Sequence, residues 1–212
     1  MSPSASTPRP SRRAGKVVDG RRIRGGFELL VVLVGLMWVS EVVDTILHGR
    51  LDQYGIIARN PDGLFGILTA PFLHLGFGHL ISNTLPLVTL GALIAISGAL
   101  RLFAVTALVV TIGGLGTWLV SPPHTITIGA SGLVFGYAAY LVARGVFNKR
   151  FRQVLIGIVV VLVWGGALLG GLLPREGISW QGHLFGAIAG VFAAWVLADD
   201  RRKVRAPTRS GP

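Results

Sequence analysis

Six apolar stretches, each about 18–21 residues long, govern what this chain can fold into: roughly Phe27–Leu47, Leu80–Leu100, Leu102–Val120, Thr125–Val142, Val154–Leu173 and Ile178–Ala198. The hydrocarbon core of a bilayer is about 30 Å thick, and a helix rising 1.5 Å per residue crosses it in about 20 residues. Inside that core every backbone N–H and C=O needs an internal partner, so segments this apolar are expected to be helices. The fold class that follows is an all-α membrane protein with six transmembrane helices over residues 27–198. The boundary between the second and third stretches rests on Arg101 alone. Only 14% of residues are charged, against about 25% in a soluble domain, which excludes a disordered chain and an ordinary soluble enzyme. With no cysteine, the chain has no disulfide, thiolate metal site or cysteine nucleophile.

The basic residues give the orientation. Residues 1–26 are rich in Pro, Ser and Arg and read as a disordered basic tail. Residues 199–212 form a second basic tail, with Arg201, Arg202, Lys203, Arg205 and Arg209. Six crossings put both tails on one side, with Arg101 and the cluster Arg144, Lys149, Arg150 and Arg152. That side holds 17 of the 20 Lys and Arg residues; Arg50, Arg59 and Arg175 are on the other. The positive-inside rule then makes both termini cytoplasmic in a plasma-membrane protein. The net charge of +11 is thereby read as a topology signal that touches anionic lipid headgroups, not as a nucleic-acid surface.

Residues 48–79 form the first outer connection and are far longer than the others. Long loops are uncommon without a function. This one carries Leu64, Phe65, Ile67, Leu68, Phe72 and Leu73, so it is expected to lie half-buried at the outer membrane interface.

Ionisable and strongly polar residues within spans are costly and mark candidate sites. Here they are Glu41, Asp44, His79, Asn83, Ser131 and His183, all in the outer halves of their spans. Ser131 sits in GASGLVFGY, about 9 Å along a fourth span that starts at Thr125. Taken alone it has a plainer role, as a packing serine beside a Gly132/Gly136 GxxxG contact. His183 adjoins a stripe made by Gly182, Gly186 and Gly190; alone it reads as a structural histidine bonded to a carbonyl. If the fourth helix packs on that stripe through Gly129, Gly132 and Gly136, the imidazole meets the Ser131 hydroxyl. His79 and Asn83, at i and i+4, share a helix face and suit either an interhelical clamp or a pair of donors aimed at one point. His74 is placed to pair with loop backbone.

This set fits a Ser–His pair with oxyanion donors better than other chemistry. No metal site is expected, because the histidines lack a completing carboxylate at ligand spacing. A transporter would have to rely on Glu41 and Asp44, near the outer end of the first span. No cofactor is implied.

The sequence at this point resembles the rhomboid family of intramembrane serine proteases. HLGFGHLISN is similar to the family's HxxxxHxxxN, GASGLVFG to its GxSG and GHLFGAIAG to its HxxGxxxG. The resemblance implies a six-helix rhomboid-like bundle with a membrane-embedded first loop. It implies Ser131 as nucleophile and His183 as general base, with His79, Asn83 and the Ser131 N–H holding the oxyanion and Gly129 shaping the nucleophile turn. Phe135 stands where the family often has a Tyr packed on the catalytic imidazole. Phe65 and Gly66 stand where a Trp-Arg pair is usual, no Glu lies near the inner end of the second span, and Gly182 replaces a common Ala. The implied activity is endoproteolysis of transmembrane segments near the outer leaflet, so the partners are transmembrane substrates and the bilayer. The rival classes are a non-catalytic binder of membrane clients and a small transporter.

Overall fold

In the computed structural model, residues 12–198 are described, with side chains from Gly20 onward. Six long helices carry the architecture: α1 (Arg12–Ile46), α2 (Phe77–Ala95), α3 (Ala99–Val120), α4 (Ser131–Asn148), α5 (Phe151–Gly171) and α6 (Trp180–Val196). Four of them, α1 from Gly20, α2, α3 and α5, are long and apolar enough to cross a membrane. The other two, α4 and α6, are packed on each other in the middle of the molecule.

Helix ends depart from the hydropathy boundaries for local reasons. The stretch expected to be a disordered tail over 1–26 is helical from Arg12. Lys, Arg and Val tolerate helix, no proline lies between Pro10 and Pro61, and extending a formed helix is far easier than nucleating one. Residues 1–11 and the basic tail from Asp199 lie outside the described residues. The second turn falls at Ser97–Gly98 and not at Arg101, which lies inside α3. Gly98 takes φ +95°, and a Cβ there would stand 2.5 Å from Arg22 Cγ, so only glycine fits. The Arg22 Nε donates to the Ser97 carbonyl at 2.9 Å, tying α1 to this turn.

The fourth helix starts at Ser131, not Thr125. Residues 126–127 form a short strand, β2 (Ile126–Thr127), paired antiparallel with β1 (Ile56–Ile57) from the long first connection. The run of β-branched residues from Thr125 to Ile128 favours this extended form. Ser131 is therefore the first residue of its helix instead of lying about 9 Å within it.

The first connection is folded, with short 3-10 turns and one turn of α-helix at Gly66–Thr69. Several hydrogen bonds fasten it to the end of α3 and the segment after it. Trp118 Nε1 donates to the Asn60 carbonyl at 2.8 Å, and the Arg59 guanidinium to the Ser121 carbonyl at 3.1 Å. The N–H groups of Ala58 and Arg59 donate to the carbonyls of Thr125 and Trp118. A Cβ on Gly66 would run into the Gly55 carbonyl, so this glycine lets two loop strands touch. Leu64, Phe65 and Leu68 face outward, whereas Ala58, Ala70 and Leu73 are buried.

In lipid there is no hydrophobic drive between helices, and close packing of small residues takes its place. A Cβ on Gly186 would strike the Gly132 carbonyl, and one on Gly190 the Gly136 carbonyl. These glycines bring α4 and α6 into backbone contact along their length. Around them lies a core that includes Leu80, Leu90, Leu102, Tyr137 and Ala189. One turn of α3, Val109–Gly113, is wound as π-helix, and Gly113 there lies against the Gly186 backbone. Such turns are found mostly at functional sites.

Candidate active site

The N-terminal ends of α2, α4 and α6 and the C-terminal end of α5 meet at one end of the bundle, beside the long first connection. Ser131 opens α4. Ahead of it Gly129 takes φ +115°, and its missing Cβ leaves room for the His79 ring, whose Cε1 would be 2.6 Å from that atom. Two hydrogen bonds hold this turn to the first connection. The Gly129 N–H donates to the Ala70 carbonyl at 2.8 Å, and the Ala130 N–H to His74 Nε2 at 3.3 Å. As the first residue of the helix, Ser131 has an N–H without an acceptor inside it.

His183 lies in the first turn of α6. Ser179 caps that helix by accepting the Gly182 N–H at 3.2 Å, and receives the Thr127 hydroxyl at 3.3 Å. The His183 Nε2 is 2.9 Å from Ser131 Oγ. Its ring is stacked on Phe135, with centroids 4.2 Å apart and planes 4° off parallel. Its Nδ1 is 2.7 Å from the Gly171 carbonyl. The imidazole is 8% exposed, so its orientation is set by these three neighbours and not by water.

His79 lies beside Gly129 at the start of α2. Its Nδ1 accepts the Leu75 N–H at 3.3 Å, which makes Nε2 the protonated nitrogen. Asn83 is buried, and its amide nitrogen donates to the His79 carbonyl at 3.0 Å, leaving one amide hydrogen. His74 is edge-on to His79 at 5.1 Å between centroids. Burial, and next the neighbouring His79, push the His74 pKa down from 6.5 to about 4, partly offset by the Phe72 backbone. His74 is therefore neutral near pH 7, with Nε2 free to accept the Ala130 N–H.

Two cavities lie at this end of the bundle, and Ser131 lines the smaller. One of about 50 Å³ lies between Ile67, Val110, Gly113, Gly132 and Gly182. One of about 610 Å³ opens above it, lined by His79, the 125–128 segment and the Pro174–Gln181 connection.

The remaining polar candidates are used differently. Asp44 accepts the Leu51 N–H at 2.6 Å and so closes the turn after α1. Glu41 is buried close to Asp44, with one carboxylate oxygen unpartnered. Among the described residues no group of His, Cys, Asp or Glu could hold a metal ion. Sequence reasoning missed Gly171, whose contribution is a backbone carbonyl and leaves no side-chain signature. It also missed Ser179, whose capping role is hinted at only by a serine three residues ahead of Gly182.

The family model of the Rhomboid domain matches residues 61–200. The chain is 42% identical over 217 residues to an uncharacterized protein of Mycobacterium tuberculosis, covering 99% of this chain and 88% of that protein. It is 28% identical over 144 residues to the putative rhomboid protease YdcA of Bacillus subtilis, covering 65% and 69%. Over 171 residues it is 30% identical to the rhomboid protease GluP of the same organism, covering 80% of this chain and 32% of that one.

Proposed function

The chain belongs to the rhomboid family, and from that premise we propose that it is an intramembrane serine endopeptidase working through Ser131 and His183. The observation that carries the reading is the 2.9 Å approach of His183 Nε2 to Ser131 Oγ, with the ring stacked on Phe135. Ser131 Oγ attacks the scissile carbonyl while Nε2 takes its proton. In this reading the Ser131 N–H, the His79 Nε2–H and the remaining Asn83 amide hydrogen are the donors that hold the oxyanion. Collapse breaks the C–N bond, and His183 returns its proton to the departing amine. Water from the larger cavity then hydrolyses the acyl-enzyme, His183 again serving first as base and then as acid.

In this reading all six long helices cross the plasma membrane, both termini are cytoplasmic and the site opens outward. The substrate is a transmembrane segment of another protein. Its helical hydrogen bonds shield its carbonyls, so it must unwind locally before attack. The small cavity beside Ser131, floored by glycines, favours a small side chain at the cleaved bond. Small or helix-breaking residues are therefore expected there.

The test is cleavage of a transmembrane reporter. Ser131→Ala and His183→Ala should each abolish cleavage while the protein still inserts. Retained cleavage in either variant removes the assignment. A client-binding protein would keep its function in Ser131→Ala, and a transporter would instead fail on Glu41 or Asp44 substitution.

A further inference from the structure

We infer that the Gly171 backbone carbonyl, at the C-terminal end of α5, is the group that positions the base, in the place where other serine hydrolases use a carboxylate. The inference rests on the serine-protease reading above. A carbonyl oxygen only accepts, so its 2.7 Å contact puts the neutral imidazole's proton on Nδ1 and leaves Nε2 with the lone pair facing Ser131. Stacking on Phe135 fixes the plane of the ring but not the tautomer. Without the carbonyl, part of the population would carry its proton on Nε2 and could not accept one from serine. Among the described residues, the hydrogen-bond partners of His183 include no carboxylate.

Two features of α5 suit it to this task. The last four carbonyls of a helix have no donor within it, and Gly171 is the final residue, so its oxygen is available. The same end carries the negative pole of the helix dipole, which favours the imidazolium formed during attack. The position also demands glycine for reasons of space. A Cβ at residue 171 would stand 2.7 Å from Phe135 Cζ and 3.1 Å from His183 Nδ1, whereas one at Gly170 or Gly166 would meet nothing within 4 Å. Elsewhere α5 packs mainly along α4, and it is the least buried of the four helices long and apolar enough to cross a membrane. The base is thus competent only while the end of this loosely covered helix is docked against it.

The experiment measures the rate at which a fluorophosphonate labels Ser131 in the purified full-length protein, beside kcat and KM on the reporter. Wild type and Gly170→Ala should label at the same rate. Gly171→Ala should label about 10–100-fold more slowly and lose kcat in proportion, the size of effect seen when a group orienting a histidine is lost, with KM little changed. Replacing Leu172 by its α-hydroxy acid turns the Gly171 carbonyl into a weaker ester acceptor without adding a side chain. That variant should also be slow, whereas the same change at Leu173 should not. Wild-type labelling in Gly171→Ala, or in the Leu172 ester, overturns the positioning role; a slow Gly171→Ala beside a normal ester means the defect was steric. Absence of labelling in wild type, or labelling of Ser131→Ala, counts against the protease reading itself.

Discussion

Gly129 answers two demands at once: a φ of +115° and contact with the His79 ring where a Cβ would sit. Gly129→Ala should therefore displace both the serine turn and His79, the proposed oxyanion donor, and reporter cleavage should fall by about 100-fold or more, the scale of a misplacement near 1 Å. His79→Ala and Asn83→Ala remove one donor each and should slow cleavage by about 10–1,000-fold. His74 adds a pH dependence. Its pKa is about 4 when folded against 6.5 for an unhindered imidazole, so the unfolded chain binds more protons between those values. Its contribution to stability is complete above pH 6.5 and is lost as the pH falls toward 4. Thermal unfolding across that window should show a decline that is smaller in His74→Gln. The motif histidines, the asparagine and the serine could be picked out from the sequence because polar side chains within apolar blocks stand out. The Gly171 carbonyl could not, since every residue has one.

At the scale of elements, the joint between α4 and α6 is made by glycines meeting backbone. The four-residue spacing of Gly182, Gly186 and Gly190 already displays one smooth helix face. Gly190→Val should force the two helices apart and destabilise the protein by about 1–3 kcal/mol, seen as a lower midpoint of thermal unfolding in detergent. Gly35→Ala, where a Cβ would meet nothing within 4 Å, should leave that midpoint unchanged. Helix existence was legible because hydropathy acts over a whole span. Helix ends were less so, because each is set by a partner distant in sequence. The pairing of Ile126–Thr127 with Ile56–Ile57 keeps residues before Ser131 extended; the β-branched run at 125–128 favours that form, but within an apolar block it does not name its partner. The turn at Gly98 depends on Arg22, and the π turn in α3 on contact with α6.

For the molecule as a whole, the proposed topology can be mapped directly, because the chain has no cysteine to remove first. Single-cysteine variants Gln53→Cys and Glu176→Cys, both exposed on the connections beside the site, should react with a membrane-impermeant maleimide in intact cells. Ser4→Cys and Ser210→Cys should react only after permeabilisation, and the reverse pattern would invert the orientation. The fastening of the first connection by Trp118 and Arg59 belongs to this scale as well. Trp118→Ala should loosen it and make residues 58–62 accessible to added protease. One feature bears on biogenesis. The helix bearing Ser131 is not among the four that are long and apolar enough to cross a membrane, and it carries Arg144. A translocon that sorts segments by apolarity should release α1, α2, α3 and α5 into lipid readily and hold α4 until neighbours shelter it. An isolated α4 segment should accordingly integrate poorly in an insertion assay, and well when flanked by the others. On the protease reading, a nascent chain built this way has no seated nucleophile while α4 waits, so newly made membrane proteins beside it are spared until α4 has docked on α6.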